Sequence, residues 1–157
     1  MRLPRSSGRG ARAAASSPGR ALVRDANILL RAVLGPRVRG LIERYSERVP
    51  LMIPADCVEE VHEYLPILCE KRGWSAAPAV ELLEALLGLL HVIDTSLFVE
   101  FKADALRRIG ARDPEDWPVV ALALAIDAPV WTEDTDFFGS GVAIWTTENV
   151  ELYLDAE

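Results

Sequence analysis

Three acids fall within four residues at the point where an apolar run stops. Pro129-Val130-Trp131 leads into Thr132-Glu133-Asp134-Thr135-Asp136, and Phe137-Phe138-Gly139 closes the stretch. The apolar run has the character of a buried strand. Its acids then sit at the carboxyl edge of a sheet, where open α/β folds bind ligands. Ala21-Leu22-Val23-Arg24-Asp25-Ala26-Asn27 ends in the same way. Asp25 and Asp134 are therefore expected to face each other across one cleft, with Glu60 and Asp116 joining them. Carboxylates from distant stretches of a chain holding two histidines and two cysteines suit Mg²⁺ or Mn²⁺ better than Zn²⁺.

Each acid has a plainer reading beside the chemical one. Asp25 is a metal ligand or nucleophile, or it is the N-cap of the helix that follows. Glu60 lies roughly 110° from the centre of the apolar stripe formed by Cys57, Val58, Val61, Leu65 and Leu68 on a helical wheel. Glu59 and Glu63 lie farther round and read as surface. Asp116 shares a face with Val119, Val120 and Ala123, and a carboxylate facing a core is costly unless paired or metal-bound. Its alternative is a capping box with Asp113, which itself reads as a cap. Asp134 is nearer the strand end than Asp136, which is either a further ligand or the acid of an Asx turn. His62 and His91 read as structural. No P-loop, G-x-G-x-x-G, G-x-S-x-G or C-x-x-C pattern is present.

Short strands must hold these acids. The pattern predicts strands at 21–25, 51–53, 91–93, 129–131 and 142–145. Helices are expected at 26–34, 37–48, 55–72, 78–90 and 97–109. The helix at 97–109 turns Phe98, Phe101, Ala105 and Ile109 inward. The next opens with Asp113 as N-cap and Pro114 in its first turn and runs to about Asp127. Thr147 is positioned to cap a last helix at 148–154. Strands alternating with helices imply a three-layer α/β/α sandwich around a short-stranded, mainly parallel sheet.

The 157 residues suffice for one domain with a sizeable core. The net charge of −7 hides two populations. Residues 1–24 hold six arginines and no acid, whereas residues 25–157 hold 11 Lys and Arg against 24 Asp and Glu. Such a body is no generic polyanion binder, so contact with nucleic acid needs bound metal, local arginines or the tail. Residues 1–20 have almost nothing to bury and are expected to form a disordered basic tail before a domain at 21–157. They lack the apolar segment of a secretory signal. No apolar run reaches the length of a membrane span. Cys57 and Cys69, more than three helical turns apart, read as reduced core thiols of a cytoplasmic protein.

Four stretches, in order and at these intervals, resemble the PIN-domain nucleases. Asp25-Ala26-Asn27 resembles the family's first acid and its companion asparagine. Val58-Glu59-Glu60-Val61, with Leu65 five beyond Glu60, resembles the helix of the second acid. Asp116 followed by Val119-Val120-Ala121-Leu122-Ala123 resembles the third, and Thr132-Glu133-Asp134-Thr135-Asp136-Phe137 the fourth. The match covers about residues 21–150. The resemblance implies a PIN-like fold and catalytic acids Asp25, Glu60, Asp116 and Asp134. These hold one or two Mg²⁺ or Mn²⁺ ions, with Asp136 a further ligand and Asn27 and Thr132 orienting ligands or water. It implies cleavage of single-stranded RNA to a 5′-phosphate and a 3′-hydroxyl, as in VapC-like toxins, with an antitoxin protein and a second copy of the chain as partners. One alternative is a PIN fold that binds RNA or a partner without cutting. Another is phosphotransfer through Asp25, a chemistry that usually employs a nearby lysine, whereas the chain has only Lys71 and Lys102.

Overall fold

The computed structural model describes residues 20–156. Arg20 apart, the tail expected over 1–20 lies outside the described residues. Arg20 donates to the backbone carbonyls of Tyr153 and Leu154 at 2.9 and 3.0 Å.

The sheet is built from the apolar runs that the sequence marks. Strand β1 is Leu22–Arg24, β2 Leu51–Pro54, β3 His91–Ile93, β4 Val130–Trp131 and β5 Ile144–Trp145. All four pairings are parallel, in the order β3-β2-β1-β4-β5. The central strand is wholly buried and apolar up to Arg24, as a parallel strand covered on both faces must be. Helices α1 (Ala26–Leu34), α2 (Pro36–Tyr45), α3 (Ala55–Lys71) and α4 (Ala76–Leu87) follow β1 and β2. Helices α5 (Lys102–Ile109) and α6 (Trp117–Ile126) lie between β3 and β4, and α7 (Val150–Leu154) ends the chain. Helix α1 packs against α2, α3 and α4, and α5 packs against α6. The core includes Leu22, Val23, Ile28, Leu29, Ile53, Val120, Leu122, Trp131 and Phe137, all fully buried.

The strand order decides where the site lies. The chain starts in the centre, winds outward through β2 and β3, then returns to the other side of β1 as β4. The connections leaving β1 and β4 therefore diverge, and a crevice opens outside their carboxyl ends. Arg24 pairs in register with Trp131. Asp25 and Thr132, the next residue on each strand, thus emerge at the same level above the sheet.

Several boundaries differ from the sequence expectation. The segment expected as one helix at 97–109 is two 3₁₀ turns, Thr95–Leu97 and Val99–Phe101, followed by α5. The Asp94 carboxylate, accepting from the Ser96 N–H, starts the first turn. Phe98 breaks the helical path between them to pack against Trp117, with ring centroids 6.0 Å apart. Asp113 and Pro114 open a 3₁₀ turn, Pro114–Asp116, that runs into α6. The helix expected at 78–90 is Ala76–Leu87. Thr147 caps nothing. Its hydroxyl accepts the Trp131 indole N–H and its backbone N–H donates to Glu133, so it serves the strand ends instead.

Candidate active site

Asp25 is both a cap and a cleft residue. It leaves β1 in extended conformation, and its Oδ1 accepts the Ile28 N–H at 3.0 Å, which starts α1. Its Oδ2 accepts the hydroxyl of Thr132, 107 residues away at the end of β4. The carboxyl is 5% exposed. Burial pushes its pKa up to about 6, against the pull of the Thr132 and Ile28 hydrogen bonds, and the Asp134 charge adds to the rise.

Thr132 is fully buried and joins two of the acids. While its hydroxyl donates to Asp25, its oxygen accepts the Asp134 N–H at 2.9 Å. Asp134 in turn accepts the Asp136 N–H at 2.9 Å and caps the 3₁₀ turn Thr135–Phe137. The Asx-turn acid is therefore Asp134, not Asp136. The Asp136 carboxylate instead groups with those of Asp113 and Asp116, one oxygen from each lying within 4.8 Å of the others. Thr132→Val is expected to leave one Asp25 oxygen buried without its donor, a loss of about 1–3 kcal/mol. Thr132→Ser should restore most of it. Urea unfolding of the two variants checks this, and equal stability of Val and Ser forms would show that the bond contributes nothing.

Glu60 rises from α3 toward the same place. With Asp25, Asn27, Cys57, Glu115 and Asp116 it lines a cavity of about 40 Å³. That is room for an ion or about one water. Glu59 does not line it. Partial burial raises the Glu60 pKa, and the charges of Glu115, Asp113 and Glu63 raise it further.

Asp116 ends the 3₁₀ turn before α6, and its side chain caps nothing. The cap of that turn is Asp113, which accepts the Glu115 N–H at 3.0 Å. Asp116 Oδ2 is buried without a hydrogen-bond partner. Burial is the largest cause pushing its pKa up to about 8, followed by the charges of Asp113, Asp134, Asp25 and Glu60. Asp25, Glu60 and Asp116 thus line one cavity, whereas Asp134 borders the neighbouring groove and reaches Asp116 through its charge. A carboxylate can only accept, so a buried oxygen without a protein donor among repelling acids suits a cation or a proton. The donors are all oxygen, the set that Mg²⁺ and Mn²⁺ prefer.

Three features escaped the sequence reading. Cys57 is a wall of the acidic cavity, and burial, with Asp25, Glu60, Asp56 and Asp116 beside it, raises its thiol pKa. Its place one turn before Glu60 is the signal that could have found it. Arg24 is fully buried beneath Asp25, its guanidinium 5.4 Å from the Trp131 ring and without hydrogen bonds. Burial lowers its pKa to about 9 despite the neighbouring Asp25 charge. The third is a groove of about 920 Å³ bordered by Asn27, Arg31, Arg37, Arg72, Glu133 and Asp134. Asn27 lines both groove and cavity. His62 is exposed and pairs with Glu84 at 2.7 Å, and His91 is exposed on an edge strand; neither lines either space.

A family model described as a PIN domain matches residues 23–155. Solved structures share the fold at low identity. FitAcB from Neisseria gonorrhoeae is 19% identical with a TM-score of 0.61, the match covering 82% of this chain and 99% of that one. A toxin–antitoxin complex from Klebsiella pneumoniae is 17% identical with a TM-score of 0.58, covering 80% and 97%. PAE2754 from Pyrobaculum aerophilum is 18% identical with a TM-score of 0.66, covering 89% and 92%. A sequence search of curated proteins gives no match.

Proposed function

The chain belongs to the PIN-domain family, and from that premise we propose that it is a metal-dependent endoribonuclease cutting phosphodiester bonds of single-stranded RNA. The observation that carries this reading is the Asp116 oxygen, buried without a partner beside Asp25 and Glu60. In this reading Asp25, Glu60, Asp116 and Asp134 hold Mg²⁺ or Mn²⁺, with Asp136 a further ligand. The bound ion supplies a water of lowered pKa and positive charge against the phosphodiester. Thr132 and the Ile28 N–H hold the Asp25 carboxylate in one orientation, so it need not reorganise as the ion binds. Thr132 also fixes the backbone that presents Asp134. The exposed Asn27, which lines both cavity and groove, in this reading donates its amide to a phosphate oxygen of the bound strand.

The structural likeness to a toxin–antitoxin complex supports a toxin role, with an antitoxin protein as partner and a second copy of the chain as a further one. No helix among the described residues is long and apolar enough to cross a membrane. The test is cleavage of a labelled single-stranded RNA by the full chain in Mn²⁺ and in EDTA. Cutting in Mn²⁺ alone, with 5′-phosphate products, is expected. RNA retained but never cut in either condition points to a binding module instead.

A further inference from the structure

The arginines of this chain divide by what they touch. Arg39 donates to the carbonyls of Ala32 and Val33, Arg44 and Arg48 pair with acids near the C-terminus, and Arg107 and Arg108 pair with Asp104. Arg112 donates to carbonyls of the 135–138 loop. Arg31 and Arg37 are exposed, and their side chains have no hydrogen bond or ion pair among the described residues. Both line the groove that leads away from the acids, as does the exposed Arg72. Three cations along one groove stand out on a body whose acids outnumber its bases.

One of these arginines also carries an aromatic neighbour. Arg72 stacks over the Trp74 ring at 5.2 Å, and Trp74 is 50% exposed. An indole left in water beside a guanidinium is a platform for a base. An acidic peptide would use the arginines but gain little from that platform, so the pair favours a nucleic acid strand.

Resting on the nuclease reading above, we propose that this groove is the track for single-stranded RNA flanking the cut. Arg31, Arg37 and Arg72 take successive backbone phosphates, and Trp74 stacks an unpaired base. Asn27, on the wall shared by groove and cavity, marks where the track meets the acids.

The test compares the full-length wild type with the double variant Arg31→Gln, Arg37→Gln and with Trp74→Ala. Binding of a fluorescent 12-nucleotide RNA is measured by anisotropy in EDTA, which withholds the ion and prevents cutting. Cleavage of that RNA and of a dinucleotide too short to enter the groove is then measured in Mn²⁺. Each variant is expected to bind the long RNA about tenfold more weakly. The salt dependence of the double variant should fall by about 0.7 in log–log slope per lost phosphate contact. Dinucleotide cleavage should fall far less than cleavage of the long RNA in both. Wild-type affinity and salt slope in the double variant overturn the track, while wild-type cleavage keeps the nuclease reading. Binding that depends on Arg31 and Arg37, without cleavage by any form, supports the track and removes the nuclease reading. If the arginines bind a glutamate-rich peptide and not RNA, the groove belongs to a protein partner and the proposal falls.

Discussion

Asp116→Asn is expected to reduce RNA cleavage by about a hundredfold or more while the protein stays folded. Asparagine caps a helix about as well as aspartate, and the cap at this turn is Asp113 in any case. What the substitution removes is a charge whose buried oxygen has no partner. Without metal that charge is a liability, since burial, and then the surrounding acids, push its pKa up to about 8. Metal-free Asp116→Asn should therefore melt near wild type at pH 6, where Asp116 is protonated, and above it at pH 9, where it is not. In Mn²⁺ the order reverses, because wild type gains a ligand that the variant lacks. Turnover of a fluorogenic RNA, with thermal melts at both pH values, decides the matter. A wild-type rate would make Asp116 dispensable and leave Asp113 and Asp136, its neighbours in the cluster, as the acids to test.

Millimolar Mn²⁺ is expected to raise the melting temperature by several degrees at pH 8 and by much less at pH 5.5. A ligand at a hundred times its dissociation constant stabilises by about 2.7 kcal/mol, and protons compete for the same carboxylates. The metal-free protein carries the opposite trend. An acid whose folded pKa lies above its unfolded value binds protons more tightly when folded. Its contribution to stability is complete below the unfolded pKa and is lost as pH rises through the folded one. For Asp25 that window runs from its ordinary range to about 6, and for Asp116 to about 8. The well-buried Asp25 contributes a loss on the order of 3 kcal/mol. Asp116, nearer water, contributes less than its shift suggests because solvent screens it. Melts at the two pH values in EDTA and in Mn²⁺ provide the check. A Mn²⁺ effect that is absent, or equal at both pH values, would falsify a carboxylate-held ion.

Local chemistry made much of this protein legible from its residues alone. The short apolar runs are strands because a parallel strand buried on both faces needs no alternation, and the interval between them leaves room only for helical crossovers. Asp25 and Asp113 cap where a side chain meets an N–H two or three residues on, a contact that depends on nothing else. The inward aim of Asp116 follows from its spacing to Val119, Val120 and Ala123 across the start of α6. Where a segment's shape depended on a distant partner, the reading by periodicity failed. Phe98 packs on Trp117 and breaks the expected helix at 97–109, and Thr147 turns to Trp131 and Glu133 instead of capping α7.

Only the tertiary structure set β1 beside β4, since a parallel strand's periodicity reports that it is buried and not which strand lies next to it. From that adjacency come the Thr132–Asp25 bond across 107 residues and the burial of Arg24 beside Trp131. The pairing of cavity with arginine-lined groove has the same origin. A charge looks alike on any helix in the sequence. Whether it meets solvent, an acid or an empty groove is decided by the elements packed against it, and those contacts span distances along the chain that no local pattern encodes.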